Sequence, residues 1–338
     1  MSERKDVDNQ EISWDVDGIA VQATLTLGAA NGPRAAVAFV AGSGPTDRDW
    51  DSPLLPGSNG SGKLLAEALA RAGFVTLRYD KRGSGPHAKE NAVRLAGRVS
   101  MQSHVDELAG AVAALVARPE VDARRIFALT NSEGAVHALN YQRQATEPRF
   151  AGLVLTGVPG RSMADTMRSQ VVPQLQTLPN GADLIREYDA AIAAISAGRP
   201  IEPDPSLPEG LRNLLASLAN PANNPFAGEF LVVNPAELLR EVTEPVLIVI
   251  GKKDIQANWQ ADGQALEAAL AGRDNVAFFY PENANHILKY EPKPREQLLP
   301  AEVAANYNAA DRHLDADALT AIETWLGRQA AVDPVGNS

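Results

Sequence analysis

Ile126-Phe127-Ala128-Leu129-Thr130-Asn131-Ser132-Glu133-Gly134 is the stretch whose reading decides the fold. Its first four residues form a short continuous apolar run, the pattern of a strand buried on both faces. Residues 133–143 have helical spacing. Only a sharp turn around Ser132 separates the two. A serine at a strand-to-helix turn, with small residues two before and two after it, is the context of a nucleophile elbow, and the helix N-terminus beneath it favours developing negative charge. Gly134 fills the second small position. Thr130 fills the first, where glycine is usual, and its branched side chain tightens a turn less easily. Taken alone, the motif suits a plain helix cap equally well.

Working outward, the strand–helix rhythm repeats. Apolar runs at 35–40, 75–79, 153–156, 245–250 and 276–279 read as strands. Segments 63–71, 105–117, 261–270 and 316–326 read as helices. Alternation of this kind predicts an α/β fold with a mostly parallel sheet and helices on both faces. Two alternating runs, 11–16 and 19–27, flank Asp17-Gly18, a two-residue turn that predicts an antiparallel hairpin at the sheet edge. Between 159 and 240 the rhythm breaks into helical pieces (182–197, 209–218) and a proline-rich stretch, 200–205. The segment is too long for a loop. The expected organisation is a core of 1–158 and 241–338 with a helical cap, 159–240, inserted into it. The plainer alternative is a packed helical extension with no role at the site.

The chain has 338 residues, 45% hydrophobic and 22% charged, an ordinary globular balance. It contains no cysteine, which excludes disulfides, zinc–thiolate sites and a cysteine nucleophile. The polar N-terminus does not read as a secretory signal, and no window approaches the roughly 20 apolar residues of a membrane span. A net charge of −11 repels nucleic acid and anionic lipid. A cytoplasmic protein with a small-molecule partner, and neither nucleic acid nor membrane, is the expectation. Oligomeric state is not legible in these patterns.

Two further residues complete a constellation. Asp254 follows the strand 245–250, and His286 follows the strand 276–279. In a parallel sheet both lie at the C-terminal edge, where ligand sites form. Serine, acid and histidine therefore occur in the order Ser132, Asp254, His286, each just after a strand. Individually, Asp254 reads equally as a loop aspartate or helix cap, and His286 as a surface histidine. The other histidines compete poorly for the role: His104 and His137 fall on helices, His87 in a glycine-rich loop, His313 just before the last helix. An oxyanion hole needs backbone N–H donors. Glu133 supplies one and Ser43, in the loop Ala41-Gly42-Ser43-Gly44-Pro45, the other, with Gly44 the alternative. Gly44 and Trp50 are candidates for the substrate pocket. The run Thr46-Asp47-Arg48-Asp49-Trp50 reads equally as a local salt-bridged loop. Asp80-Lys81-Arg82-Gly83-Ser84-Gly85 lacks the spacing of a phosphate loop and reads as a tight turn.

In the segments 42–49, 78–85, 131–134, 247–254 and 285–286 the chain resembles bacterial α/β-hydrolases of the serine esterase type, related to prolyl-oligopeptidase-like and dienelactone hydrolase-like proteins. The departures are Thr130 and Asn131, where that family commonly has glycine and histidine. The resemblance implies Ser132, Asp254 and His286 as a catalytic triad, with a helical cap between the sixth and seventh strands. The expected reaction is hydrolysis of a carboxylic ester or lactone through an acyl-enzyme, with no metal and no organic cofactor. Leu175, Leu178, Phe226, Phe230 and Leu231 in the cap favour a small, mostly apolar substrate. An aminopeptidase or amidase is the alternative enzyme, with Glu187, Asp189 or Glu209 available to hold an amine. A non-catalytic ligand-binding module of the same fold is the alternative from another class.

Overall fold

The computed structural model describes residues 7–332. The first six residues of the polar N-terminus, and the last six of the segment 241–338, lie outside the described residues. The chain opens on a hairpin of β1 (Val7–Val16) and β2 (Ile19–Gly28), paired antiparallel with Val16 opposite Ile19. Asp17 and Gly18 both take positive φ, 55° and 75°, as the two-residue turn requires. The chain continues through β3 (Arg34–Val40), α1 (Ser61–Arg71), β4 (Val75–Tyr79), α2 (Ala88–Leu95), α3 (Met101–Val116), β5 (Val121–Asn131), α4 (Glu133–Gln144) and β6 (Gly152–Thr156). Five helices follow without a strand: α5 (Met163–Gln176), α6 (Gly181–Ser196), α7 (Glu209–Leu218), α8 (Phe226–Val232) and α9 (Pro235–Leu239). The sheet then resumes with β7 (Val246–Val249), α10 (Ala261–Ala269), β8 (Val276–Phe279), α11 (Pro300–Asn306) and α12 (Ala316–Ala331).

The eight strands are ordered β1-β2-β4-β3-β5-β6-β7-β8. β2 runs antiparallel to β4, and every pair from β4 to β8 is parallel. Strand order reverses at β3, since the next strand in sequence lies on one side of it and β5 on the other. The crevice outside the carboxyl ends of β3 and β5 is therefore a topological switch point, where open α/β sheets bind ligands. Alternation along the central strands builds a core on each face. Ala36, Ala38, Ile126 and Ala128 point to the side covered by α3 and α4, and Val37, Phe39, Phe127 and Leu129 to the side holding α1 and α12. The helices between β6 and β7 bury their own apolar cluster, including Leu175, Leu184, Tyr188, Leu215 and Leu231. Met163 and Phe230 tie them to Met101 and Val136 of the core.

The sequence reading named neither α2 nor α11, and it began β5 late. α2 is a short helix with only Asn91 and Leu95 buried, and β5 starts five residues before the apolar run. The first half of β5 is half-exposed and polar, so no hydrophobic period marks it. No helix of the described residues is long and apolar enough to cross a membrane.

Candidate active site

Ser132 sits between β5 and α4 with φ 53° and ψ −119°, a backbone conformation that non-glycine residues rarely adopt. Two features hold it there. Its amide donates to the Thr156 carbonyl at 2.8 Å, continuing the β5–β6 ladder into the turn. Gly134 lets α4 come close to β3: a Cβ there would lie 2.4 Å from the Val40 carbonyl oxygen and 2.7 Å from that of Ala41. The branched Thr130 is accommodated in the buried sheet, with its Oγ1 donating to Val154 O at 3.3 Å. As the first residue of α4, Glu133 has an N–H with no acceptor inside the helix.

Asp254 is fully buried just beyond β7. Its Oδ1 accepts from the amides of Gln256 (2.7 Å) and Ala257 (2.9 Å), and its Oδ2 accepts from His286 Nδ1 at 2.7 Å. Those bonds leave the carboxylate one orientation and fix the proton of His286 on Nδ1, so that Nε2 carries the lone pair. His286 is 6% exposed. Glycine at 157, with φ 57°, makes room for the ring, since a Cβ there would stand 2.9 Å from its Cε1 and Nδ1. Asn131 Nδ2 donates to the His286 carbonyl at 2.9 Å. Among the described residues no hydrogen bond joins Ser132 Oγ to the imidazole.

Ser132, Glu133, His286, Gly157, Ser43 and Gly44 share the wall of one cavity of about 730 Å³. Ser43 belongs to the loop after β3, whose Gly42 approaches so closely that a Cβ on it would lie 3.5 Å from Ser132 Cβ. Most of the large apolar side chains on the remaining wall come from the helices between β6 and β7, among them Met163, Met167, Val171, Leu218, Phe226 and Phe230. Leu175 and Leu231 instead pack inside that helical layer, and Leu178 is half-exposed. Trp50, read from sequence as a pocket wall, lies elsewhere. It is 3% exposed and packs against Phe39 with the rings tilted by 53° and their centres 5.9 Å apart, over Gly62 of α1. The apolar face of its ring is worth more in the core than in an opening. Its neighbours form the salt-bridged loop: Arg48 holds Asp80 (2.8 Å) and Glu11 (2.5 Å), and Asp49 pairs with Arg78. Lys81 to Ser84 is a tight turn closed by Ser84 N to Lys81 O at 2.8 Å.

A polar island interrupts the apolar wall. Lys81 Nζ donates to Gly42 O at 2.6 Å and stands 3.5 Å from Glu133 Oε1. His137 Nε2 reaches the same oxygen at 3.1 Å. Burial alone would raise the Glu133 pKa, but the Lys81 ammonium and then His137 outweigh it and hold the carboxyl below its usual range. Burial, followed by the neighbouring His104 ring, pushes His137 down to about 4. Glu107, which binds Arg82 Nε at 2.8 Å and His104 Nδ1 at 3.1 Å, likewise stays ionised against the cost of burial. Sequence reading passed over Gly157, the contact of Asn131 with His286, and this island. The glycine directly after an apolar strand was a usable signal, as was the i, i+4 spacing of Glu133 and His137.

Residues 58–194 match a family described as hydrolase 4, serine aminopeptidase S33, a stretch that includes Ser132 but neither Asp254 nor His286. The chain is 26% identical over 279 residues to the esterase EstD of Thermotoga maritima, covering 82% of this chain and 60% of that protein, so it spans under two thirds of the relative's length. Among solved structures it is similar to an esterase of Pyrococcus furiosus, with TM-score 0.56, 16% identity and coverage of 96% of this chain and 92% of the other. It is also similar to proline iminopeptidase of Mycobacterium smegmatis, with TM-score 0.54, 14% identity and coverage of 95% and 99%. Sheet order, the turn at Ser132 and the likenesses to solved structures show the class of fold: the chain has the α/β-hydrolase fold.

Proposed function

We propose that this chain is a serine hydrolase that cleaves a carboxylic ester or lactone of a small, mostly apolar substrate through an acyl-enzyme. The observation that carries the reading is the buried Asp254–His286 pair, joined at 2.7 Å, beside a serine held at positive φ on the same cavity wall. His286 Nε2 takes the Ser132 proton as Oγ attacks the carbonyl carbon. Asp254 holds the tautomer and stabilises the imidazolium. The amides of Glu133 and Ser43 are the oxyanion donors. The imidazolium gives that proton to the departing alkoxide as the ester C–O bond breaks, leaving the acyl-enzyme. Water then enters, gives a proton to His286 as its oxygen attacks the acyl carbon, and His286 returns that proton to Ser132 Oγ as the acid leaves. The Ser132–His286 contact closes on substrate binding, as catalytic hydrogen bonds in empty sites commonly do.

Ester or lactone is favoured over an aminoacyl substrate by the charges in the cavity wall. Among the described residues its carboxylates are Glu107 and Glu133, each beside a cation whose charge offsets its pull on a monovalent substrate ammonium. Glu187 and Glu209 are exposed, and Asp189 pairs with Arg168. We read the helices between β6 and β7 as a cap that sets substrate size, since they contribute most of the large apolar side chains on the wall. The test is a fluorophosphonate probe followed by p-nitrophenyl esters, lactones and aminoacyl amides. Labelling that Ser132→Ala abolishes, with ester turnover falling at least about 10³-fold, is expected. Unlabelled folded protein points to a ligand-binding module, and aminoacyl amides turned over faster than esters overturn the substrate class.

A further inference from the structure

The polar island beside the triad contains a donor set that the hydrolytic reading does not use. His104 on α3 and Glu133 and His137 on α4 each present one ligand atom, and the three atoms lie within 4.8 Å of one another. The residues are 8%, 3% and 1% exposed. Glu133 and His137 are one helical turn apart, so the geometry of α4 alone puts them on one face. Packing of α3 on α4 brings the His104 ring to 4.4 Å from that of His137.

Three further observations point the same way. His104 Nδ1 is bonded to Glu107 Oε2 at 3.1 Å, and Glu107 is itself held by Arg82. An imidazole whose Nδ1–H donates to an anchored carboxylate presents its lone pair on Nε2, the arrangement that supports most histidine metal ligands. His137 Nδ1 is buried with no hydrogen-bond partner among the described residues, so the bond of Nε2 to Glu133 is the one polar contact holding this ring. Glu133 Oε2 makes no hydrogen bond among the described residues, although Oε1 is fully engaged. His104 and Glu133 both face the cavity, so a position on that side stays open.

We propose that His104, Glu133 and His137 form a binding site for a divalent transition-metal ion of the zinc class, open to the cavity. Two imidazoles and one carboxylate match zinc and its neighbours, whereas magnesium and calcium require an all-oxygen shell. Donors around a tetrahedral zinc stand about 3.3 Å apart, so the three side chains draw together when the ion enters. Lys81, whose Nζ stands 3.5 Å from Glu133 Oε1, opposes binding, and its bond to Gly42 O keeps it in place. The site is separate from the triad, whose histidine belongs to a different loop.

The experiment is titration of the intact, chelator-stripped protein with Co²⁺, followed by its visible absorption, and with Zn²⁺ by calorimetry. One equivalent binds, with the intense absorption of four-coordinate cobalt, and excess Mg²⁺ does not displace it. His104→Ala and His137→Gln each weaken binding at least tenfold, and His286→Ala leaves it unchanged. Lys81→Met tightens it, because the opposing charge is gone. Absence of saturable binding by wild-type protein overturns the proposal without recourse to any variant. Binding that survives both His104→Ala and His137→Gln, or that is lost in His286→Ala instead, overturns it as well.

Discussion

Asn131 stands directly before Ser132 and donates from Nδ2 to the His286 carbonyl at 2.9 Å, so one side chain links the Ser132 turn to the histidine loop. Its Oδ1 also lies where a Cβ on Gly42 would be 2.9 Å away, which puts the loop after β3 against the same residue. A group that contacts three parts of a site acts by positioning them. Asn131→Ala leaves the buried His286 carbonyl without its donor and frees the loop to shift. In an active hydrolase kcat should fall about 10- to 100-fold with little change in KM, since small misplacements at a reacting centre are expensive. Asn131→His keeps a donor at the position and should recover part of the loss. An alanine variant with wild-type kcat would remove Asn131 from the positioning role.

At the scale of elements, the turn at Ser132 depends on how closely α4 approaches β3. Gly134 permits that approach, and Gly134→Ala places a methyl 2.4 Å from a backbone oxygen that cannot move independently of the sheet. The helix must retreat, at about 1–3 kcal/mol of stability, and it takes the Ser132 backbone with it. Gly327, in the exposed middle of α12, meets nothing within 4 Å. Gly327→Ala should therefore stabilise by roughly 0.5–1 kcal/mol through helix propensity alone. Thermal melts of the two variants should move in opposite directions, and a neutral Gly134→Ala would mean that the close approach is not a constraint.

At the scale of the whole molecule, the loop 47–51 meets the C-terminal third of the chain. Lys289 is fully buried, donates to the carbonyls of Asn59 and Tyr307, and faces Asp51. Burial, with Asp47 and Asp49 nearby, pushes Asp51 up to about 6 from 3.8, although Lys289 pulls the other way. A folded-state pKa above the unfolded one means that the native state binds the proton more tightly. The resulting stabilisation is fully present below about pH 4 and is lost as pH rises through 6. Asp51→Asn mimics the protonated form at every pH. It should match wild type near pH 4 and melt at a higher temperature than wild type at pH 7.5. A gap that does not grow between those pH values would show that Asp51 is not raised.

Much of this protein is written in local pattern. The hairpin around Asp17-Gly18, the buried runs of β3 to β7 and the position of Ser132 between β5 and α4 follow from periodicity and turn chemistry, because neighbours in sequence determine them. So does the presence of Asp254 and His286 after successive strands. The helical character of 159–240 was also legible, from broken periodicity and prolines. Which of its side chains reach the cavity was not: Phe226 and Phe230 do, while Leu175 and Leu231 are spent on the layer's own core. That Trp50 faces inward was not legible either, because a loop residue carries no period to reveal its direction. The contact of Asn131 with His286, separated by 155 residues, and the meeting of His104 with His137 from two helices, arise only when the sheet closes its order and α3 packs on α4. Sequence by itself determined most of the strands and helices and the order of Ser132, Asp254 and His286 after strands, which depend on local backbone preference. Tertiary structure alone decided which side chains share a cavity, because that depends on packing between segments remote along the chain.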